Sequence, residues 1–363
     1  MTARSLASLR SQGELTRAMR AWVFRTKGNP TDVLRLEDDY PQPAPSAGQV
    51  LVRVKAVALN PVGWKAISMA PVKYLQRVPA VPEHDFAGVV AGGNLDGTGL
   101  VEGDGVFGIA PANGTMKTGQ GVLAEYCLVD KSLVTKKPAN VTFEEAATFP
   151  LTTFTSYWAL VRNGKLERGK GQRVFINGGS GGVGAYAVQL AKAYGAFVVT
   201  TCSPPSRELV STLGADDILD YKERDLASQL VDKYASAPFD IVFDTVGHDS
   251  ALYYQSAAYL KPDGIFVDVA GPHMDGSLTS LLHAGLDFTN RLLRPKVLGG
   301  VPRKYTFGMM TTDKKELAEM ASLIGEGKLR PIVDDVFAFE DALKAYQRQM
   351  SGRAKGKVVV RVA

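Results

Sequence analysis

Five glycines stand close together between residues 178 and 184, one residue after an apolar run from Val174 to Ile176. Gly179, Gly181 and Gly184 satisfy the pattern GxGxxG, and apolar residues then return at helical spacing. In such a strand, turn and helix, the first glycine makes the turn, the second admits a pyrophosphate and the third allows close packing. The free N–H groups at the helix start favour phosphate. The predicted dinucleotide contacts are Gly179, Ser180, Gly181, Gly182, Val183 and Gly184. The alternative is a glycine-rich turn in another α/β protein.

The segment after the next strand, TTCSPPSRE from Thr200 to Glu208, indicates which dinucleotide is bound. A site for NAD normally has an acid about 20 residues past the first glycine. Here Ser203 offers a hydroxyl and Arg207 a guanidinium, whose planar donors suit a phosphate, and no acid precedes Glu208. Tyr221, in the later segment ILDYKE, is a third expected contact. The sequence therefore predicts NADPH, unless Ser203 and Arg207 are ordinary residues of a turn and a helix start.

These residues need a parallel sheet to bring them together. Strand-like segments at Phe197 to Thr201, Phe239 to Gly247 and Asp263 to Gly271 alternate with helical segments. That repeat predicts a right-handed, doubly wound parallel sheet. Earlier residues are rich in strands, prolines and glycines, which indicates a barrel-like β domain, and the chain returns to it through a closing strand, KVVVRV. One helix start is marked by Thr142 as N-cap, with Glu145 completing a capping box.

Composition limits the classes of function. The 363 residues are 45% hydrophobic and 22% charged, which is typical of a globular chain with room for two domains. The net charge of +5 is dispersed, so a nucleic-acid partner is not expected, and no apolar run reaches membrane-spanning length. Two cysteines, Cys127 and Cys202, exclude a disulfide framework and favour a reducing compartment.

The first 20 residues are predicted to form a flexible extension. They contain four arginines, several serines and a single acid, Glu14. This composition is typical of a mitochondrial transit peptide, but it equally suits a disordered cytosolic extension because its apolar face is thin. The expected location is therefore the cytoplasm, with the mitochondrion as the alternative.

Several separated motifs resemble those of one family. VPAVPEHDFAGVV, GDGVFG, AATFPLTTFTSYWAL, INGGSGGVGAYAVQLAK, LGADDILDYKE, FDIVFDTVG and GKLRPIV follow one another in the order of the medium-chain dehydrogenase/reductase superfamily. The chain looks like its zinc-free quinone oxidoreductase and enoyl reductase branch over about residues 20 to 363. The resemblance implies a GroES-like β-barrel catalytic domain, residues 21–150 and 311–363, and a Rossmann domain, residues 151–310. The active site would lie in the cleft between them, and the strand in KYTFGMM would pair in a homodimer.

A zinc site is the main alternative within this superfamily. Its three ligand positions align with Asn60, His84 and a residue at or near Leu151, whereas a catalytic zinc needs about three protein ligands. The segment from Asn113 to Gly121, aligned with the structural zinc lobe, contains no cysteine. We therefore expect no metal, and we expect His84 to be a hydrogen-bonded structural residue beside Asp85.

Without a metal, the reaction must be hydride transfer to an acceptor that is already electron-poor, such as an α,β-unsaturated carbonyl compound or a quinone. Asn60 could donate its amide hydrogen to the developing oxyanion, and Lys65 could place a cation beside that oxygen or beside the cofactor. Tyr74 is a candidate proton donor. The alternatives are a turn residue before Pro61, a surface lysine and a packing tyrosine.

One departure from the resemblance concerns this same segment. Relatives usually read NPxD, whereas this chain has Gly63 at the place of the aspartate, so a carboxylate that would orient Lys65 or the turn is expected to be missing. The resemblance also places Thr155 and Val246 against the cofactor. Two other functions stay open: a non-catalytic NADPH-binding interaction protein, and an enoyl reductase acting in trans in a single biosynthetic pathway.

Overall fold

A computed structural model of the chain describes residues 17–69, 72–247, 249–271, 278–294 and 298–363. Most of the extension expected over residues 1–20 lies outside the described residues, which begin at Arg17. The strands are β1 Ala18–Phe24, β2 Leu34–Pro41, β3 Gln49–Ala58, β4 Asp85–Gly93, β5 Gly105–Ile109, β6 Tyr126–Asp130, β7 Val134–Lys136, β8 Arg173–Asn177, β9 Phe197–Cys202, β10 Asp217–Asp220, β11 Phe239–Asp244, β12 Leu260–Asp268, β13 Lys304–Phe307, β14 Val333–Ala338 and β15 Lys357–Arg361.

Helices connect and cover these strands. They are α1 Pro30–Val33, α2 Pro61–Ser68, α3 Val72–Leu75, α4 Ala112–Thr118, α5 Phe143–Ala146, α6 Pro150–Ser156, α7 Gly184–Ala193, α8 Arg207–Thr212, α9 Leu226–Tyr234, α10 Ala251–Tyr254, α11 Leu278–Leu293, α12 Lys314–Gly325 and α13 Ala342–Met350. A π-helical segment, Tyr157–Asn163, continues α6. Thr142 and Glu145 form the capping box predicted at the start of α5. Within the described ranges, no helix is long and apolar enough to cross a bilayer.

The predicted parallel sheet is present. Its order is β10-β9-β8-β11-β12-β13, and every neighbouring pair is parallel. This is the strand order of a dinucleotide-binding Rossmann sheet, with the first strand, β8, central. The interior of β8 is fully buried because helices cover both faces of such a sheet. Ligands bind to such a sheet at the carboxyl ends of its strands.

The second sheet has the order β14-β15-β3-β4-β5-β7, with β6 also paired to β3. All its pairs are antiparallel except β14 with β15. The chain thus returns from the Rossmann sheet to the N-terminal β domain, as the sequence predicts, and β15 lies directly beside β3. This return brings the C-terminal strand next to the segment that follows β3, which begins the candidate site. The exact domain limits remain a prediction.

Candidate functional site

The glycine turn follows β8. Gly178 has a positive φ of 90° and makes the reversal, so the turn residue is one position earlier than the Gly179 that the pattern predicts. A Cβ on Gly179 would lie 2.2 Å from Thr200 Oγ1, and a Cβ on Gly184 would lie 2.1 Å from Gly178 O. Both positions therefore require glycine because β9 and the start of α7 approach the turn this closely.

The outer face of the turn has more room. A Cβ on Gly181 would meet only Gly178 O, at 3.3 Å, and one on Gly182 would come no closer than 3.6 Å to Gly356 O. Neither glycine has a positive φ. Because they have no side chains, these two glycines leave space beside the backbone. That space suits close approach by a pyrophosphate at the start of α7.

A chain of hydrogen bonds holds the turn. Gly178 N–H donates to Thr201 Oγ1 at 2.8 Å, and this hydroxyl donates to Asn177 Oδ1 at 2.8 Å. Asn177 Nδ2 in turn donates to Asp244 Oδ1 at 2.9 Å, which joins the carboxyl ends of β9, β8 and β11. Since Asp244 Oδ1 also accepts the N–H of Val246, the loop that carries this predicted contact belongs to the same edge.

The predicted phosphate-binding residues meet at one end of the sheet. Cys202 and Asp220 are paired in β9 and β10, so Ser203 and Tyr221, the next residue of each strand, start from adjacent points. Arg207 begins α8 and donates from Nη1 to Ile218 O of β10 at 3.4 Å. Arg207 and Tyr221 are exposed, and Ser203 is half-buried. These three residues therefore lie at the same edge of the parallel sheet.

Two lysines near the start of β15 border this region: Lys355 precedes the strand and Lys357 is its first residue. The sequence analysis missed both. Lys355 donates from Nζ to Pro205 O at 3.1 Å, in the loop between Ser203 and Arg207. Lys357 lies beside the glycine turn, because a Cβ on Gly182 would be 3.7 Å from its Cδ. The segment thus places one cation near each end of the predicted nucleotide site.

Lys357 reaches from the turn into a buried polar cluster. Its side chain is only 3% exposed, its Nζ donates to Asn60 Oδ1, and it forms an ion pair with Asp85 Oδ2 at 3.2 Å. The Asp85 side chain is fully buried and also accepts the N–H of Leu151 at 2.9 Å, at the start of α6. Burial lowers the pKa of Lys357 and raises that of Asp85, and the attraction between the two charges opposes both shifts.

The Asn60 amide is fully engaged in this cluster. Its Nδ2 donates to Asp85 Oδ2 at 2.9 Å and to Ala58 O at 3.2 Å, and its Oδ1 accepts from Lys357. Asn60 is 1% exposed. Donation to a substrate oxyanion, the role predicted for Asn60, therefore requires that one of its two donor bonds open.

The carboxylate expected to be missing at Gly63 is supplied from elsewhere. Glu83 fills the space beside Gly63, so that a Cβ on this glycine would lie 2.2 Å from Glu83 Oε1. Glu83 Oε2 accepts the N–H of Asn60 at 3.0 Å, and Oε1 accepts from the hydroxyl of Tyr346 at 2.7 Å. Burial raises the pKa of Glu83 to about 7. The expectation that the turn lacks an orienting carboxylate was therefore wrong.

The residues at the superfamily's zinc positions do not suit a zinc ion. Leu151 has no ligating side-chain atom, and the Asn60 amide is engaged as described. His84 Nδ1 is 3.0 Å from Ala110 O, and burial lowers the pKa of the imidazole to about 4, which leaves Nε2 as a lone potential ligand. Among the residues that the structure describes, no three His, Cys, Asp or Glu side chains form a group able to hold a metal.

Of the remaining predicted site residues, Lys65 and Tyr74 lie on α2 and α3, which contact each other, whereas Thr155 lies on α6 and Val246 in the loop after β11. Lys65 is exposed on α2, with its Nζ 5.9 Å from the centroid of the Trp64 ring. Tyr74, on α3, is 74% exposed. Thr155 is buried on α6 and donates to Leu151 O at 2.7 Å, which leaves its oxygen able to accept a further bond. Val246, in the loop two residues after β11, is 38% exposed.

Comparisons with known proteins agree on one superfamily. Residues 46–139 match the alcohol dehydrogenase GroES-like domain, and residues 213–360 match the zinc-binding dehydrogenase family. A zinc-type alcohol dehydrogenase-like protein of Schizosaccharomyces pombe is 34% identical, covering 94% of this chain and 96% of its own. A trans-enoyl reductase of Aspergillus terreus is also 34% identical, covering 95% and 96%. The solved quinone oxidoreductase of Coxiella burnetii superposes with a TM-score of 0.74 at 27% identity, covering 96% of this chain and 100% of its own.

Proposed function

The chain belongs to the medium-chain dehydrogenase/reductase superfamily, and on that premise we propose that it is an NADPH-dependent, zinc-independent reductase. Its acceptor is an activated C=C bond of an α,β-unsaturated carbonyl or enoyl compound, or a quinone. The single observation that carries this proposal is the position of Lys357. Its Cδ lies beside Gly182 of the glycine turn, and its Nζ donates to Asn60 Oδ1. One side chain therefore links the predicted cofactor site to the predicted reduction site.

A bound NADPH would supply the hydride at such a site. The residues that we propose to hold it are the glycine turn, Thr155 and Val246, together with the phosphate-binding group at the ends of β9 and β10. Preference for NADPH over NADH is supported by the side chains of that group. Ser203, Arg207 and Tyr221 offer donors, Lys355 adds a cation, and the residue that ends β9 is the buried Cys202 rather than an acid.

The protein residues then have to stabilise charge and deliver a proton. Hydride addition to an enone leaves a negative charge on the carbonyl oxygen, and donors aimed at that oxygen lower the barrier. We assign Lys65 to this charge and to the cofactor, Asn60 to the same oxygen once one of its bonds opens, and Tyr74 to proton delivery. Each role can be tested by a single substitution to alanine or phenylalanine.

The proposed acceptor class is supported by the relatives, among which are a trans-enoyl reductase and a quinone oxidoreductase. The test is a panel of quinones, 2-alkenals and enoyl thioesters, assayed as NADPH oxidation by metal-depleted protein. Turnover of enoyl thioesters alone would favour the enoyl reductase acting in trans. Tight NADPH binding without turnover of any acceptor would contradict the proposal and favour the non-catalytic binding protein.

We also propose a homodimer that pairs through β13, which is the edge strand of the parallel sheet. An exposed strand edge presents unpaired N–H and C=O groups that a second copy can satisfy. Analytical ultracentrifugation of wild type and Phe307→Pro tests this. Gly308 N–H faces β12, where it donates to Asp268 O, so the N–H of Phe307 faces the free edge, and proline removes it. A cytoplasmic location is proposed as well, and fractionation of cells that express the tagged chain separates it from the mitochondrial alternative.

A further inference from the structure

Glu83 is a buried carboxylate in an unusual backbone conformation. It is 1% exposed, and its φ of 71° lies in the left-handed region that residues with a Cβ rarely adopt. A buried carboxylate is costly unless it is hydrogen-bonded, and here both oxygens accept bonds, one from Tyr346 of α13 and one from the backbone of Asn60. Glu83 thus combines a strained backbone with a buried carboxyl group that has two specific partners. This combination indicates that the position of its side chain matters for the residues that it contacts.

Glu83 holds the start of α2. Asn60 is the N-cap residue of this helix, but its side chain makes no capping bond because it is engaged with Lys357 and Asp85. The first N–H groups of a helix have no partner within the helix and favour a negative charge. The Glu83 carboxyl group supplies an acceptor there from outside the helix, and that charge when it is ionised, with its Oε1, Cδ and Oε2 at 2.2, 2.6 and 2.8 Å from the place of a Cβ on Gly63.

We propose that Glu83 is the positioning residue of the reduction site: held by Tyr346, it fixes the start of α2 and therefore the placement of both Asn60 and Lys65. Lys65 lies on α2 two residues after Gly63, so a change in the direction of this helix moves the lysine directly. The inference rests on the proposed function, which assigns Lys65 and Asn60 to the reaction.

The structure makes positions 63 and 83 interdependent. Any side chain at 63 collides with Glu83, while the positive φ at 83 suits glycine better than glutamate. Glu83→Gly therefore removes the carboxylate without backbone strain, and Gly63→Asp places a carboxylate in the first turn of α2 itself. If the site needs one carboxylate at this point, the double variant should recover what each single variant loses.

The test compares Glu83→Gly, Gly63→Asp, the double variant and Tyr346→Phe with wild type. The first measurement is amide hydrogen exchange of α2 in the cofactor-free protein. The second is the separation of kcat from KM for NADPH and for the acceptor. We expect Glu83→Gly to speed α2 exchange and to lower kcat by about tenfold, as befits the loss of a bond to a charged group. Tyr346→Phe leaves the carboxylate in place, so we expect it to lower kcat by only about threefold. In the double variant we expect kcat to recover to within about threefold of wild type.

Glu316→Gln is the matched control, because it neutralises a half-buried carboxylate that is paired with Arg162 on another part of the chain. It should leave α2 exchange unchanged. A purely structural role of Glu83 would lower thermal stability but leave the kcat of the folded protein unchanged. The proposal is overturned if Glu83→Gly leaves α2 exchange and kcat at wild-type values, or if the double variant is no better than Glu83→Gly.

These outcomes are distinguishable from failure of the proposed function. If wild type reduces no acceptor, the proposed function fails. The exchange experiment, which needs neither cofactor nor acceptor, still decides whether Glu83 holds α2. If wild type is active and exchange responds but kcat does not, Glu83 is a structural residue and the inference is wrong.

Discussion

Replacing Lys357 with methionine should destabilise the protein strongly, although the substitution nearly preserves side-chain length. Asp85, whose side chain is fully buried, would keep the hydrogen bonds from Asn60 and Leu151 but would lose its cation. Removing one partner of a buried ion pair costs about 3–5 kcal/mol, because the other charge is left buried and uncompensated. At about 2–4 °C per kcal/mol, the first thermal transition should fall by roughly 6–20 °C.

Calorimetry of the cofactor-free protein measures this loss. Lys355→Met is the matched control, since Lys355 is exposed, lies two residues away and should change the free energy of unfolding by no more than about 0.5 kcal/mol. The loss of unfolding free energy that Lys357→Met causes relative to wild type should also become smaller as the pH is lowered from 7 to 5. Burial already raises the pKa of Asp85, so the folded variant binds a proton more readily than the unfolded chain does and is less stable at high pH. A loss below about 1 kcal/mol, or one independent of pH, would refute the reasoning.

Three further predictions concern the cofactor and the buried acid. Arg207→Ala should lower kcat/KM for NADPH by about 10- to 100-fold and leave that for NADH unchanged, since a charge-assisted bond to the extra phosphate is lost; parallel steady-state assays check this, and equal losses with both cofactors would contradict it. Gly184→Ala should prevent the close approach of α7 to the turn, because the new Cβ would lie 2.1 Å from Gly178 O. Calorimetric titration of the variant should then detect little NADPH binding. If the variant binds NADPH as tightly as wild type does, the position assigned to this turn is wrong. Burial raises the pKa of Glu83 from 4.5 to about 7. Wild type should therefore lose up to about 3 kcal/mol of unfolding free energy as the pH rises from 4.5 through 7. Glu83→Gln should lack this loss in denaturant titrations, and the same pH slope in both proteins would argue against the assignment.

The sequence was sufficient where structure depends on near neighbours. The strand, glycine turn and helix around Gly179, the capping box of Thr142 and Glu145, and the return of the chain through the closing strand are all present as predicted. Each is encoded within a short window, in which periodicity and turn residues act directly on the backbone. The shift of the turning residue to Gly178 is an error of one position, made because the pattern does not specify which of two adjacent glycines adopts positive φ.

The polar cluster could not be predicted in the same way, because its members are distant in sequence. Glu83 is 263 residues from Tyr346, and Asn60 is 297 residues from Lys357. The pairing of β15 with β3 brings Lys357 beside Asn60, and α13, which packs on β15 and α2, brings Tyr346 to Glu83. Two signals were nevertheless present: a lysine stands directly before the apolar run Val358 to Val360 of the closing strand, and a glycine stands where the resemblance places an acid.

The central claim is that NADPH gives its hydride to an electron-poor acceptor without the help of a metal. The most direct measurement is single-turnover transfer of deuterium to a 2-alkenal from NADPH that carries deuterium at both hydrogen positions of the nicotinamide C4, catalysed by protein that has been dialysed against a chelator. We predict that the label appears on the β-carbon of the saturated product, at the rate of the untreated protein. An unlabelled product, no product, or activity that returns only when zinc is added would contradict the account.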